Sequence, residues 1–481
     1  MVTAEFSPYV KTGGLADAVS ALSRELRRSG DDVRVLLPFH GSIQECWRRD
    51  MRPLPSPFSV HLGGEHWGRI HELVEADGLR VYFLEHHQFF DRWRPYDDGY
   101  RGYEDNPQRF AFLCRAAVDL ADFLDWTPDV FHCHDWMAAL VPVYLETVAR
   151  RGRLCSTASL LTIHNIAHQG YADRSLLSWA GLPDWLYCQD KLEACGGVNV
   201  LKGGLYFANK LTTVSPTYAQ EIRGAEFGCG LQDVLQFRGG DLIGVLNGID
   251  CELWNPATDS HIAAHYDSKC WDGKWICKDE LRRSCGLEIR PSVPLFGVVA
   301  RLHWQKGLDI LADALPWILN DMNLQFILLG AGDGQLEEHF RALARAFPGR
   351  VAVHIGYDET FAHRIVAGCD FFFMPSRFEP CGLSQLYSLR YGTLPIVRST
   401  GGLRDTVRHY DERTGEGTGF FFNDLTPSAL HGTAGWACHS YHNRPDHINA
   451  MIRQAMDLNF SWKASAGRYR DCYRWALGAK R

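Results

Sequence analysis

The chain has 481 residues, of which 46% are hydrophobic and 12% aromatic, so it can bury large cores and is long enough for two or three domains. Its formal net charge of −7 provides no general attraction for nucleic acid, so any bound anion must be held by a local cluster of cations. No apolar stretch approaches the roughly twenty residues that a membrane span needs, which argues against a membrane protein.

The cysteines and the N-terminus bear on the compartment. The 15 cysteines are scattered singly, without a CxxC pair and with an odd total, which is typical of a reduced intracellular protein. The opening MVTAEFSPYV has neither the basic region nor the apolar core of a signal peptide. We expect a cytoplasmic protein, or one of the plastid stroma if a transit peptide has been removed. The sequence predicts no particular oligomeric state.

In the first half of the chain, β-rich runs alternate with helical patterns such as residues 15–28 and 107–124. This alternation is typical of βαβ units with a parallel sheet. The predicted strands are VRVLLP (33–38), RVYFLE (80–85), DVFHCHD (129–135), SLLTIHN (159–165) and LTTVS (211–215).

The same alternation begins again after Asn247-Gly248. The strands predicted there are PLFGVVA (294–300), LQFILLG (324–330), RVAVHIG (350–356), DFFFMPS (370–376) and LPIVRS (394–399). We therefore predict two α/β domains in series, with a boundary placed near residues 246–256 by turn chemistry alone.

Ligands of parallel sheets bind outside the carboxyl ends of the strands, and three motifs of the first half lie at such positions. KTGGLAD (11–17) combines a cation, two glycines and a helix start, which suits either a phosphate or sugar site or an ordinary turn. HCHDW (132–136) and TIHN (162–165) place histidine and aspartate at two strand ends, where a histidine is more often structural. The two histidines of HCH lack a second ligand pair at zinc spacing, so we expect no metal.

The second half carries the more specific pattern. Arg301 ends one strand, Lys306 precedes the next helix, and MPSRFEPCGLSQ (374–385) places Glu379 just before another helix. Gly-rich turns GAGDG (330–334) and STGGL (399–403) follow two further strands. A diphosphate requires cations and backbone donors, and a sugar requires a carboxylate that accepts from its hydroxyls. A solvated pair of cations is the alternative, and the neighbouring turns and carboxylate make it less favoured.

Together these motifs resemble the bacterial-type glycogen and starch synthases, and the resemblance runs in family order from Val2 to about Ala476. It implies two Rossmann-like domains facing each other across a cleft, the GT-B type of glycosyltransferase fold. The implied domains are residues 1–247 and 248–456, and a C-terminal segment, 457–481, is expected to cross back to the first domain. The motifs that carry the resemblance are KTGGLAD, HCHDW, LTIHNIAHQG, LKGGLYFANKLTTVSPTYAQEI, LNGIDCELWNPATD, RLHWQKGLDIL, IGYDE, PSRFEPCGLSQLYSLRYG and STGGLRDTV.

The implied reaction transfers glucose from ADP-glucose to the non-reducing 4-hydroxyl of an α-1,4-glucan, with retention and release of ADP, and without a metal or other cofactor. Glycogen, starch or a maltooligosaccharide would be the acceptor, and neither nucleic acid nor a membrane would be a partner. The alternatives are a different donor, such as UDP-glucose, and a non-catalytic glucan-binding homologue. The second alternative predicts loss of the charged site residues, yet Lys11, Arg301, Lys306 and Glu379 are all present.

The resemblance also implies residue roles. Lys11, with the backbone of Gly13 and Gly14, would close over the phosphates, which Arg301 and Lys306 would hold from the second domain. Glu379 and the turn Cys381, Gly382 and Leu383 would bind the transferred glucose, and His164 would lie beside the reacting carbon. Asp17, Asp135 and Asn165 would line the glucose and acceptor side. Tyr357 would stack on the adenine, and Asn247 would lie near the hinge. The implied catalytic set is Lys11, Asp135, His164, Arg301, Lys306 and Glu379.

Four positions depart from the patterns of one or another group of relatives. Leu386 stands where many proteins of the broader fold carry a second glutamate, as it does in the glycogen and starch synthase branch. Met137 replaces a common polar residue, and Trp93-Arg94 replaces a usual Gly-Asn pair, so contacts with the acceptor are expected to differ. The chain is also expected to start inside the first strand.

Overall fold

A computed structural model describes residues 1–480, and the chain divides into two compact units. The first unit contains Met1–Gly248 together with the chain from Trp462 onward, and the second contains Ile249–Ser461. The second unit thus continues past residue 456, where the sequence-based domain ended. Within the described residues, no helix combines the length and apolar character needed to cross a bilayer.

The part of the first unit that precedes residue 249 contains twelve strands and nine α-helices. The strands are β1 (Arg34–Pro38), β2 (Arg52–Pro53), β3 (Phe58–His61), β4 (Glu65–Val74), β5 (Arg80–Glu85), β6 (Val130–His134), β7 (Ala158–Ile163), β8 (Tyr171–Ala172), β9 (Glu193–Ala194), β10 (Gly197–Asn199), β11 (Lys210–Thr213) and β12 (Leu242–Gly244). The helices are α1 (Gly14–Arg28), α2 (Glu45–Arg48), α3 (His87–Phe90), α4 (Asn106–Phe123), α5 (Leu140–Glu146), α6 (Ser175–Trp179), α7 (Val200–Phe207), α8 (Pro216–Glu221) and α9 (Gln232–Phe237).

The N-terminal residues complete the parallel sheet of this unit. Val2 forms parallel bridges to Leu36 of β1 on one side and to Cys133 of β6 on the other. The N–H of Val2 donates to the carbonyl of His132 over 2.9 Å. Beyond β1 the sheet continues to β5 and the antiparallel β4, and beyond β6 it continues to β7, β11 and β12. The strand order therefore reverses beside Val2, between it and β6, as in nucleotide-binding α/β sheets.

The last helix, α18 (Trp462–Lys480), packs on the first unit because its apolar face meets that of α1. Trp462 and Tyr469 are buried in one cluster with Leu22 and Leu26. Burial of such side chains stabilises a domain by roughly 1.5–3 kcal/mol each. The end of the chain is thus part of the first hydrophobic core.

The second unit has six strands and eight helices. The strands are β13 (Leu295–Val299), β14 (Gln325–Gly330), β15 (Val351–Ile355), β16 (Phe371–Met374), β17 (Leu394–Arg398) and β18 (Phe420–Phe422). The helices are α10 (Asp272–Ser284), α11 (Leu308–Asp321), α12 (Gly334–Ala346), α13 (Glu359–Gly368), α14 (Ser384–Arg390), α15 (Gly401–Thr406), α16 (Pro427–Asn443) and α17 (Pro445–Met456).

All six strands of the second unit are parallel, in the order β15-β14-β13-β16-β17-β18. This is the strand order of the dinucleotide-binding fold, and it reverses between β13 and β16. Each residue of β14 and β16 is buried, because a parallel sheet is covered by helices on both faces. The strands predicted from apolar runs in this half are confirmed.

Candidate active site

Most of the candidate residues follow strands that lie next to the point where the strand order of each unit reverses. In the second unit, Arg301 follows β13 and Glu379 follows β16. In the first unit, the turn 11–14 follows the N-terminal strand residues and Asp135 follows β6. Ligands of open α/β sheets bind in the crevice that such a reversal creates at the carboxyl ends of the strands. Each unit therefore presents chemically active side chains at its expected ligand position.

Lys306 and Glu379 are in direct contact. The Lys306 Nζ lies 2.6 Å from Glu379 Oε2, and the side chain of Glu379 is only 6% exposed. The Ser376 hydroxyl donates to the same oxygen over 2.9 Å. Glu379 Oε1 accepts from no residue among 1–480, so one oxygen is fixed and the other is left for a ligand.

A close backbone approach brings Lys306 to this position. The 3-10 turn Trp304–Lys306 ends at Gly307, whose φ is +63°. A Cβ at Gly307 would lie 1.9 Å from the carbonyl oxygen of Pro375, so only glycine fits there. The loop after β13 is thereby pressed against the loop after β16, which places Lys306 beside Glu379. Sequence spacing predicted both residues but not their contact.

Arg301, which lies in the same loop after β13 as Lys306, is an uncommitted cation. Its side chain is exposed, and within residues 1–480 it has no hydrogen-bond or ion-pair partner. A guanidinium that is not engaged by the protein can form a bidentate contact with a phosphate.

The turn Cys381–Leu383 leads into α14. Gly382 has a φ of +74°, which favours glycine, while Cys381 is buried. Leu386, on the first turn of α14, is fully buried in the core of the second unit. The position at which related folds carry a second glutamate is thus a core position here.

The glycine-rich turn of the first unit begins α1. Lys11 Nζ forms an ion pair with Asp17 over 3.0 Å. Gly13 precedes the helix with extended backbone, and a Cβ built there would meet nothing within 4 Å. Since the protein itself does not require glycine at this position, the open space suits close approach of a ligand. No side chain caps the helix at Gly13.

Glu5 holds this turn in place, and the sequence motifs did not single it out. Its buried carboxylate accepts from the Thr12 N–H (2.5 Å), the Thr12 hydroxyl (2.6 Å), the Gly13 N–H (3.2 Å) and the Tyr96 hydroxyl (2.7 Å). Burial raises the pKa of Glu5. The Gly13 N–H is therefore engaged by Glu5. A carboxylate within the apolar stretch VTAEF was the available signal.

Asp135 ties the ends of two strands together. It has a positive φ of 57°, which is strained for a residue other than glycine. Its Oδ1 accepts from the backbone N–H groups of His164 (2.7 Å) and Asn165 (3.3 Å), which follow β7. Burial raises the pKa of Asp135 to about 7. Backbone strain and an unfavourably buried carboxylate at a strand end are frequent at functional sites.

The His164 ring lies at the same edge. Its Nε2 is 3.1 Å from Nδ1 of His134, the last residue of β6. Burial lowers the pKa of His164 to about 3, so the imidazole is neutral near pH 7. A neutral imidazole can donate or accept a hydrogen bond, but it brings no charge to the site.

The strained, buried Asp135 leads to a stability prediction. Its folded-state pKa of about 7 lies above its ordinary value of 3.8, so the folded protein binds more protons than the unfolded chain between these values. Its contribution to the free energy of unfolding becomes unfavourable as pH rises from about 4 to 7. Asp135→Asn retains the acceptor oxygen and tolerates the positive φ. We expect the variant to be more stable than wild type at pH 8 by a few kcal/mol, and to lose activity.

Thermal unfolding of both proteins at pH 8 and pH 4 measures this difference. The stability advantage of Asp135→Asn should be largest at pH 8 and should vanish near pH 4. A variant that is less stable than wild type at pH 8 would contradict the assignment of a destabilising charge to Asp135.

The other predicted residues differ in their exposure. Tyr357 follows β15 and is 80% exposed. Asn247 is buried near the end of the first unit, and its Oδ1 accepts no hydrogen bond from the described residues. Met137 is buried, whereas Trp93 is 63% exposed with the Arg94 guanidinium over its ring at 4.7 Å. Trp93 is thus available to an acceptor, and Met137 is not.

Among residues 1–480, no group of three or more His, Cys, Asp or Glu side chains is arranged to hold a metal ion. That the reaction needs no metal stays a prediction, because the structure describes the free protein and not the reaction.

Comparison with known proteins defines the class first. Residues 285–454 match the family described as glycosyl transferases group 1, and residues 1–237 match the starch synthase catalytic domain. The catalytic domain of starch synthase IV from Arabidopsis thaliana, solved bound to ADP and acarbose, superimposes with a TM-score of 0.90 at 34% identity, covering 99% of this chain and 98% of that one. The predicted α/β fold of GT-B type is confirmed, and the protein is a glycosyltransferase.

The particular family follows from full-length relatives. Glycogen synthase 1 of Geobacter metallireducens is 43% identical over 481 residues, covering 99% of this chain and 95% of its own. The glycogen synthase of Thermotoga maritima is 42% identical over 482 residues, covering 99% and 98%. The chain belongs to the glycogen and starch synthase family, as its motifs predicted. Sucrose-phosphate synthase from Thermosynechococcus elongatus, at 16% identity and a TM-score of 0.62, shares the fold alone.

Proposed function

We propose that the protein transfers glucose from ADP-glucose to the non-reducing 4-hydroxyl of an α-1,4-glucan, with retention of the anomeric configuration and release of ADP. The observation that carries this proposal is the contact between Lys306 and Glu379, with the uncommitted Arg301 in the same loop as Lys306. Two cations suit a diphosphate, and the open Oε1 of Glu379 suits a sugar hydroxyl. A nucleotide sugar combines these two groups in adjacent positions.

The chemistry follows from the leaving group. As the glycosidic bond stretches, negative charge collects on the diphosphate of ADP. Arg301 and Lys306 stabilise this charge, and fixed cations are most effective where water is excluded. The attack of the acceptor hydroxyl on the same face of the sugar, with the leaving phosphate as base, gives retention. Glu379 positions the glucose through its hydroxyls, so the paired carboxylates of glycosidases are not part of the scheme.

The first unit supplies the other contacts in this proposal. Lys11 and the backbone N–H of Gly14 bind the phosphates, and Gly13, whose own N–H is engaged by Glu5, leaves room for them. Lys11 would exchange its contact with Asp17 for the ligand, because the pair is partly exposed and therefore weak. The neutral His164 lies beside the reacting carbon.

The remaining roles concern binding of the glucose, of the acceptor and of the adenine ring. Asp17, Asp135 and Asn165 line the glucose and acceptor side. The turn Cys381–Leu383 supports the glucose, Tyr357 stacks on the adenine, and Asn247 contributes to substrate binding. The cytoplasmic location also remains a prediction.

A donor comparison tests this function. Purified protein is incubated with glycogen and either ADP-glucose or UDP-glucose, and the released nucleoside diphosphate is measured. We expect a higher kcat/KM with ADP-glucose, and no sustained release without glycogen. Preference for UDP-glucose would replace the proposed donor, and no release with either donor would favour a glucan-binding homologue.

Metal removal provides a further prediction. Because Arg301, Lys306 and Lys11 neutralise the diphosphate in this proposal, EDTA is expected to leave the initial rate of transfer nearly unchanged. The measurement is the rate of ADP release before and after dialysis against EDTA. A loss of activity that Mg²⁺ or Mn²⁺ restores would contradict the role given to these cations.

A further inference from the structure

We propose that His134 is a positioning residue that keeps the proton of His164 on Nδ1, so that His164 presents an N–H to the bound sugar. The observation is the 3.1 Å contact between His134 Nδ1 and His164 Nε2. His134 is 1% exposed, and its Nε2 has no hydrogen-bond partner among residues 1–480. The identity of the ligand rests on the proposed function, whereas the position of the proton does not.

Two arrangements of protons can form this contact between neutral rings, since each ring donates from one nitrogen and accepts at the other. In the first, His134 donates from Nδ1, and its buried Nε2 is an unused acceptor. In the second, His164 donates from Nε2, and His134 must carry its proton on Nε2, where it has no acceptor. Buried N–H groups without an acceptor are rarer than unused acceptors, which favours the first arrangement.

The first arrangement fixes the tautomer of His164. Its Nε2 accepts from His134, so its own proton is on Nδ1. His164 is only partly buried, and its Nδ1 has no hydrogen-bond partner among the described residues. The backbone N–H of His164 is already bonded to Asp135. The Nδ1–H is therefore the donor that this residue offers to a ligand.

The neighbouring histidine on the same strand holds His134 in place. His132 and His134 lie two residues apart on β6 and share one face, with ring centroids 4.1 Å apart. His132 Nε2 is 2.6 Å from the Thr162 hydroxyl, and its Nδ1 is 2.9 Å from the Tyr473 hydroxyl of α18. With both its nitrogens bonded, His132 has a fixed orientation and limits the movement of the His134 ring. The C-terminal helix thus supports the site through two histidines.

The tautomer can be measured directly. Full-length protein labelled with 15N-histidine is studied by long-range 1H–15N correlation, and the His164 signals are assigned from their absence in His164→Gln. We expect wild-type His164 to carry its proton on Nδ1, with the same result in His134→Asn, whose amide can donate from a similar position. In His134→Leu the preference for Nδ1 should be lost. Finding the proton of wild-type His164 on Nε2 would overturn the proposal.

Kinetics add the functional readout. Losing the fixed donor should lower kcat of His134→Leu about tenfold, with little change in KM for ADP-glucose, while His134→Asn recovers most of kcat. Thr157→Val is the matched control, because Thr157 is a buried polar residue just before β7 whose hydroxyl donates to the Pro128 carbonyl and bonds to neither histidine. Normal kcat in His134→Leu, or an equal loss in Thr157→Val, would also overturn the proposal.

The two proposals fail in different ways. If wild-type protein transfers no glucose, the proposed function fails, and the nitrogen spectrum still decides the tautomer. If the protein is active but His164 carries its proton on Nε2, only the role of His134 fails. Should His134→Leu not fold, the wild-type spectrum and His134→Asn still decide the outcome.

Discussion

Glu379→Gln is expected to lower kcat/KM for ADP-glucose at least about a hundredfold, because charge-assisted hydrogen bonds to the sugar and to Lys306 are lost, each worth about 1.5–3 kcal/mol. ADP should bind as tightly as in wild type, or more tightly. In the free protein Lys306 is paired with Glu379, and removing that carboxylate leaves the cation available to phosphate. Steady-state kinetics and titration calorimetry with ADP measure the two effects.

Ser376→Ala is the matched control for this variant. It removes only the hydroxyl that donates to Glu379 Oε2 and keeps the carboxylate and its contact with Lys306. We expect a loss in kcat/KM of less than about tenfold, because the carboxylate keeps its charge and its contact with Lys306. Near-normal turnover in Glu379→Gln, or loss of ADP binding without loss of turnover, would contradict the role given to the carboxylate.

Arg301→Ala is expected to weaken ADP binding and to lower kcat/KM at least about tenfold, with effects in both kcat and KM. The contact with the diphosphate strengthens as charge develops on the leaving group, so its loss affects the transition state more than the ground state. Because the Arg301 side chain has no hydrogen-bond or ion-pair partner within residues 1–480, the thermal unfolding of Arg301→Ala should match that of wild type.

Arg301→Lys distinguishes charge from geometry. Lysine keeps the positive charge but loses the bidentate fork, so we expect partial recovery of ADP affinity and incomplete recovery of kcat. Unchanged ADP affinity in Arg301→Ala would remove this residue from the phosphate site. Calorimetry should therefore separate Arg301→Ala, with weakened ADP binding, from Glu379→Gln, with ADP binding retained.

The parallel strands were the most predictable part of the fold. Runs such as LQFILLG are buried on both faces and end in glycine, so composition alone marks them. The antiparallel strands β3 and β4 were not predicted, because β3 has only four residues and β4 carries charged residues along its length. Its pairing with β5 is a tertiary contact, and no local pattern encodes it.

The sequence predicted those site residues that belong to short local motifs. The turns of the second unit require particular residue types for local reasons, and the sequence motifs therefore include Lys306, Gly307 and Gly382. The supporting contacts join distant segments instead. Glu5 meets Tyr96 across 91 positions, and Ser376 is one of many serines until the fold places it against Glu379.

The tautomer of His164 was beyond sequence analysis for the same reason. His132 and His134 share one face of β6, but their partners come from β7, its following loop and α18. Only the folded chain shows that one nitrogen of His134 is unpaired.

The most direct test of the proposed reaction is the configuration and linkage of the transferred sugar. Full-length protein is incubated with glycogen and ADP-glucose labelled with 13C at the anomeric carbon, and the polymer is analysed by NMR spectroscopy while ADP release is followed. We predict that labelled glucose appears in α-1,4 linkage at non-reducing ends, in equal amount to the ADP released. A β-linked product, or free labelled glucose without incorporation into glycogen, would contradict a retaining glucan synthase.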